Sequence, residues 1–527
     1  MKVTLPPPTR VLIPSKPPIA APAVVDVVEH GPRLLLIVFG VMMAALMQTL
    51  DSTIVNVALP TIEGFVGASI DDGTWIVTGY IISNVIVIPL VPFFLHWLGR
   101  RNYFAICIAG FTIASFLCGT ATTLEGLVFY RVVQGAFGGG LVSMSNIVLR
   151  DSFPPHRFHA SQGLFALALT IGPAMGPTLG GFITDQYSWP WIFDINLVPG
   201  AIALGIIFFF LRNPVPGQRT KFDAVGLGAL ALGLGSFQYL LDEGERNYWF
   251  QDPVIVSAAV LAAVGIASFI VWELFGTAKP IVNLNIFRYH NLRVGAPVAV
   301  AVGMIIFGPT IVLAQYVQVV LQFTSTLAGL LILMRALPVI VLTPIISSIV
   351  PKIDSRVLLT LGIVISGTSF CLLFLKMTTG SDFGSLAAVM LLSGTGQAML
   401  LVPLLYLVIG SIPPKDSPAA SPFLSLSVQL GGSIASALLI AFYDFRTYYH
   451  SDIFRSAITL SNQAAATVLT KPHGLALLNG IVQGEARNAG FADTLVCLVV
   501  VCCAALLPVW LIRPSRKASH DVDLVAE

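Results

Sequence analysis

Fourteen apolar stretches of at least 18 residues recur along this 527-residue chain. A helix of about 20 residues is enough to cross the hydrocarbon core of a bilayer, which is about 30 Å thick. Inside lipid each backbone N–H and C=O must bond within the protein, so unbroken apolar runs of this length become helices. Spans are predicted near 34–59, 74–96, 103–122, 126–149, 158–184, 192–212 and 223–241, then 253–275, 294–318, 326–350, 357–376, 383–410, 421–444 and 491–512. Composition agrees: 56% of residues are hydrophobic and 10% charged, against about 25% charged in soluble domains. The fold class expected is an all-α polytopic membrane protein.

No cleavable signal peptide is read ahead of the first span, and the proline-rich residues 1–32 read as a flexible tail. All six cysteines fall in predicted spans, with neither a disulfide framework nor metal spacing. Twenty of the 28 Lys and Arg lie in the two tails and the even-numbered connections, six on the other side, and Arg131 and Arg335 within spans. That asymmetry puts both termini in the cytoplasm of a cell whose inner membrane the chain crosses many times. The net charge of +2 therefore reflects topology and gives no support for nucleic-acid binding.

Gly163 to Gly181 form a ladder of glycine and proline inside the fifth span. Gly172, Gly176 and Gly180 share one helix face, on which another helix can approach closely. Pro173 and Pro177 repeat at the same interval and bend the helix, and Gly181 ends the run. Such a face suits two bundles that rock against each other; a packing seam with no part in transport is equally open.

Charged side chains inside spans cost several kcal/mol unless they face a cavity or a partner. Asp51 is in the first span and Arg131 early in the fourth, three residues before Gln134. A carboxylate facing a cavity can change protonation while a nearby guanidinium biases it. Asp51 as a helix-end cap or static ion pair, and Arg131 snorkelling to the outer boundary, are the alternatives. Asp194 reads as interfacial.

In this order, the motifs resemble those of major facilitator superfamily drug:proton antiporters of the fourteen-span EmrB/QacA type, from about residue 35 to 512. Asp51 to Pro60 carries the first-span motif intact. Trp75, Tyr80 and Asn84 match span two, and Arg131, Gln134 and Gly135 match span four. Gly163, Gly172, Gly176, Pro177, Gly180 and Gly181 match the antiporter motif. Phe222-Asp223-x-x-Gly226, Asp242-Glu243-Gly244, Trp249-Phe250 and Gln429 to Ser433 resemble the fourteen-span branch. Two positions depart. The gate loop before Gly99, Arg100 and Arg101 has His96 where the family has an acid, which changes how the gate is steadied. Pro190 stands where the family has Arg, and no physical account of it follows from the sequence.

The resemblance implies two six-helix bundles of inverted repeats around a central cavity, 33–212 and 293–512, with a two-helix insertion at 213–292. Asp51 and Arg131 would couple protons, Trp75, Tyr80, Asn84 and Gln134 would face the cavity or substrate, and the proton gradient would replace any cofactor. Residues 445–490 read as an external loop; short interfacial helices, or contact with a periplasmic adaptor and outer-membrane channel, are the alternatives. The cytoplasmic tail resumes at 513–527.

The chain is not expected to be an enzyme. No lysine follows a glycine, which excludes a phosphate-binding pump loop, and no His-Glu-x-x-His occurs. His156 and His159 sit in a basic loop and read as solvated. An importer, a dedicated exporter of an endogenous metabolite such as a siderophore, and a non-transporting sensor or scaffold are the competing functions. With only Asp51, Arg131 and Arg335 placed well inside, and with Trp75, Tyr80, Phe137, Phe307, Tyr316 and Phe370 around them, the expected substrate is amphiphilic and neutral or weakly cationic.

Overall fold

A computed structural model describes residues 28–212, 223–277, 281–413, 416–458, 467–470 and 473–514. Phe222, the linker at 213–222, and the tails at 1–27 and 515–527 lie outside the described residues. Among the described residues, fourteen helices are long and apolar enough to cross a membrane. The first six are α1 (Gly31–Val66), α2 (Trp75–Leu98), α3 (Arg100–Gly119), α4 (Leu124–Ser152), α5 (Phe158–Gln186) and α6 (Trp191–Phe210). Then come α7 (Ala224–Glu243) and α8 (Pro253–Gly276). The last six are α9 (His290–Val319), α10 (Leu327–Ile349), α11 (Ser355–Lys376), α12 (Phe383–Ser411), α13 (Ser417–Ala457) and α14 (Gly474–Leu511).

Short polar residues start many of these helices by accepting a hydrogen bond from the first turn, which satisfies a donor the helix itself leaves free. Thr123 caps α4, Asp252 caps α8 and Asp382 caps α12 in this way. Asp223 does the same for α7, accepting from Gly226 N at 2.9 Å, while Trp272 Nε1 on α8 donates to its other oxygen at 2.8 Å. The Asp-x-x-Gly motif is thus a helix start that also locks α7 to α8.

Helices α1 to α6 pack on one another as one bundle, and α9 to α14 as a second. Helices α7 and α8 pair with each other, and α7 lies in the seam where it touches both α2 and α13. The two bundles meet along α5 and α10 and, on the other flank, along α2, α4 and α13. The face where α1 begins is called proximal below and the opposite face distal.

The segment 445–490 is not the loop the sequence suggests. Helix α13 runs on to Ala457 and α14 already starts at Gly474. Tyr443 stacks on Phe491 at 4.0 Å, Arg446 and His450 both reach Asp493 at 2.5 and 2.8 Å, and Gln483 donates to Ser451 at 2.8 Å. A search for apolar runs stops at the first charges, but a helix continues through them when a neighbouring helix pairs its polar groups. Near the start of α1, Glu29 is buried and takes Arg33 and Arg212 at 3.3 Å each, so the end of the presumed free tail is tied down.

Candidate functional site

Asp51 and Arg131 are both fully buried, and Arg131 Nη1 donates to Asp51 Oδ2 at 2.7 Å. The same Nη1 bonds Gln134 Oε1 at 2.7 Å, and Arg131 Nε donates to the Ile76 carbonyl at 3.0 Å. Gln134 Nε2 donates to Asp51 Oδ1 at 2.9 Å. Helix α6 adds Asn196, whose Nδ2 bonds both Asp51 Oδ1 and Ser115 Oγ at 3.1 Å. The network around this carboxylate thus draws on four helices besides α1, with α4 and α6 bonding it directly and α2 and α3 reached through Ile76 and Ser115. The Tyr80 ring covers the guanidinium at 4.0 Å from its centroid. Burial and pairing exclude snorkelling for Arg131.

Sequence reasoning missed Asn196 and Ser115. The signal available was an amide in an otherwise apolar sixth span, two residues beyond Asp194, which does not bond Asp51.

A central cavity of about 1070 Å³ lies between the bundles and reaches the distal end, where Glu243, Glu245 and Arg246 border it. Asp51 does not line it, contrary to the expectation of a cavity-facing carboxylate; the pair is sequestered inside the first bundle behind Tyr80, which does. Of the other aromatic candidates Phe307 lines the cavity, whereas Tyr316 and Phe370 are buried inside the second bundle and Phe137 packs at Gly110. Trp75 stacks on Tyr239 at 5.4 Å and so docks α7 onto α2. Gln134 serves the buried pair. Asn84 accepts from Gln429 Nε2 at 3.0 Å, a hydrogen bond across the two bundles. The expectation of a cavity almost free of charge also fails: Asp242, Glu243, Glu245 and Asp444 line it, with Arg246 as the cation. Asp242 and Glu243 close α7, Glu245 follows it, and Asp444 is the last residue of the predicted thirteenth span, so a count of groups in mid-span overlooks them.

The glycine ladder is a close approach, but to α1 rather than to the other bundle. A Cβ at Gly172 would overlap Thr49 Oγ1, one at Gly176 would overlap Thr53 Oγ1, and one at Gly180 would sit 2.7 Å from the Ile54 carbonyl. Thr49 Oγ1 also donates to the Ala168 carbonyl of α5 at 3.2 Å. The opposite bundle is met by Gly163, against Ser347 of α10. Pro173 and Pro177 line the cavity, and α5 stays one helix from Phe158 to Gln186 through both. The ladder thus fixes the helix that carries Asp51.

Two stretches of the chain, residues 41–317 and 296–461, match the Major Facilitator Superfamily profile. The chain belongs to the Major Facilitator Superfamily. It is similar to the multidrug export protein EmrB of Escherichia coli K12, 33% identical over 460 residues, covering 87% of this chain and 89% of that protein. The fatty acid resistance protein FarB of Neisseria gonorrhoeae is 31% identical over 501 residues, with 92% and 97% covered. These matches make the chain an EmrB-type member, as its motifs suggest. Among solved structures, the human organic anion transporter MFSD10 has a TM-score of 0.58 at 15% identity, with 92% of this chain and all of that chain covered. The proton:xylose symporter XylE gives 0.58 at 13%, with 92% and 97% covered. Both share the fold.

The connection between α2 and α3 is built around Gly99, whose φ of +80° suits glycine and turns α2 into α3. Arg100 is buried and donates to Ser152 Oγ at 2.7 Å and the Val148 carbonyl at 3.3 Å, at the carbonyl end of α4. Arg101 lies over the Phe208 ring at 5.3 Å. His96 lines a small proximal pocket with Phe93, Ile281, Val282 and Ala419, the last in the first turn of α13. An acid there would face a helix N-terminus; an imidazole brings no negative charge to it.

In the second bundle Arg335 is buried with no carboxylate bonded to it among the described residues. It donates to the carbonyls of Ile305 and Ile306 at 3.1 and 2.7 Å, to Thr310 Oγ1 at 2.8 Å and to Ser393 Oγ at 3.2 Å. Pro309 has no N–H to give the Ile305 carbonyl four residues back. Arg335 supplies that missing donor. Arg335→Met is expected to lower the melting temperature in detergent, at about 1–3 kcal/mol for each acceptor left buried and unpaired. An unchanged melting temperature would show that the broken turn satisfies itself.

Proposed function

We propose that the chain is a proton-coupled exporter of amphiphilic small molecules, of multidrug type, working by alternating access. The observation that carries this reading is the sealed Asp51–Arg131 pair behind Tyr80, itself a wall residue of the central cavity. Protonation of Asp51 would cancel the attraction to Arg131 and free both α1 and α4 to shift. The carboxylate's release would be coupled to α5, because the glycine ladder clamps α1 to it. The similarity to multidrug export and fatty acid resistance proteins supports an amphiphilic cargo. The excess of Lys and Arg on the proximal side argues that this face is cytoplasmic, in an inner membrane, so the cavity faces outward here. The proton gradient is the energy source, with no cofactor required.

The test is a panel of lipophilic cations, neutral dyes and anions offered to everted vesicles, with and without an uncoupler. Uptake of several compounds, lost when the gradient collapses, is the expected result. Uptake that survives the uncoupler would overturn proton coupling. Deleting the gene and finding that the medium loses one metabolite, while no dye accumulates in cells, would replace the multidrug reading by dedicated export.

A further inference from the structure

We infer that the inserted helix α7 gives the central cavity its cation-selecting carboxylate, Asp242, an inference that rests on the export reading above. Asp242 is in the last turn of α7 and forms part of the cavity wall. Its Oδ1 accepts from Gln238 Nε2 at 2.9 Å, and the same nitrogen donates to Ser433 Oγ of α13 at 3.0 Å. Its Oδ2 is shielded from solvent beside Thr78, without a hydrogen bond of good geometry. A carboxylate held this way is fixed in place by one neutral amide and has no cation bonded to it among the described residues.

The other acids of the wall are differently placed. Glu243 accepts from Thr74 Oγ1 at 3.1 Å and lies 3.7 Å from Arg246, which itself donates to Thr74 Oγ1 at 2.7 Å. Glu245 accepts from the Trp249 indole at 2.6 Å. Asp444, on α13, is exposed and adds to the negative field at the distal mouth. Asp51 is closed off by Arg131 and Tyr80. Asp242 is therefore a wall carboxylate fixed through one oxygen by a neutral amide, with its other oxygen shielded from solvent and no counter-charge bonded among the described residues. In a cavity also walled by Phe165, Phe307 and Pro173, a charge-assisted bond to one cationic group is stronger than in water. The ligand class is a lipophilic monocation, its apolar body against those residues and its charge at Asp242. A role for α7 follows as well: latched to α2 through Thr74 and to α13 through Ser433, it is a working wall of the transport path rather than a spacer.

Asp242→Asn keeps an oxygen acceptor for Gln238 and removes the charge. Full-length protein in detergent would be titrated with ethidium, a lipophilic cation, and with uncharged Nile red, and transport of both followed in proteoliposomes. The expected result is about a tenfold weaker ethidium affinity and a parallel fall in its transport, with Nile red unchanged and Asp242→Glu restoring ethidium. Unaltered ethidium affinity in the Asn variant would overturn the inference. So would equal loss of both dyes in the Asn variant, rescued by Glu, because the charge would then serve coupling and not recognition. Unmutated protein that moves neither dye would instead overturn the export reading on which the inference stands.

Discussion

Asp51→Asn is expected to abolish gradient-driven transport while the protein still inserts into the membrane. Two effects coincide in this substitution. The proton-binding group is gone, and Arg131 is left as a buried guanidinium without its 2.7 Å partner. Breaking one side of a buried pair costs about 3–5 kcal/mol, so a clear drop in melting temperature should accompany the loss. Asn196 and Gln134 still find an amide at position 51, which limits the damage to the charge itself. Arg131→Met in the same chain should recover part of the stability without recovering transport, since an ion pair replaced on both sides is often neutral. Arg131→Lys keeps the charge but loses the fork that serves Asp51, Gln134 and the Ile76 carbonyl together, so partial activity is expected. Everted-vesicle uptake and thermal unfolding in detergent read these out. Undiminished transport by Asp51→Asn would overturn the coupling role.

Gly176→Leu is expected to stop transport with the protein still present in the membrane. The added Cβ alone overlaps Thr53 Oγ1 and stands 3.2 Å from the Ile54 amide nitrogen, both on α1. Forcing a larger side chain into a packed contact costs about 1–3 kcal/mol, and the strain here separates α5 from α1. Asp51 lies two residues before Thr53, so its three side-chain hydrogen bonds are displaced with it. The Leu variant should show a lower melting temperature and no uptake, with Gly176→Ala intermediate. Normal transport by the Leu variant would mean that α1 and α5 part without consequence, and the ladder would lose its role as a clamp.

Much of the fold was open to reading before any coordinates. A run of 20 apolar residues has few ways to satisfy its backbone in lipid, and that alone dictates helices and their number. The Asp51, Arg131 and Gln134 motif also picked out side chains that the fold brings into contact, because a charge in mid-span needs a partner and few partners were present. Asn196 escaped because an amide carries no such penalty to mark it. The ends of α13 and α14 escaped for a related reason: Arg446, His450 and Asp493 look like loop residues until one helix is set against the other.

What the sequence determined by itself is the set of elements, since helix formation and burial in lipid are local properties of each run. Only the tertiary structure decided which surfaces meet. It turned the glycine ladder toward α1, hid Asp51 from the cavity, and brought Asp242 and Asp444 from separate helices to one wall. The physical reason is that a helix carries side chains on every side, and the face that ends up against a neighbour or a cavity is chosen by how all fourteen pack together.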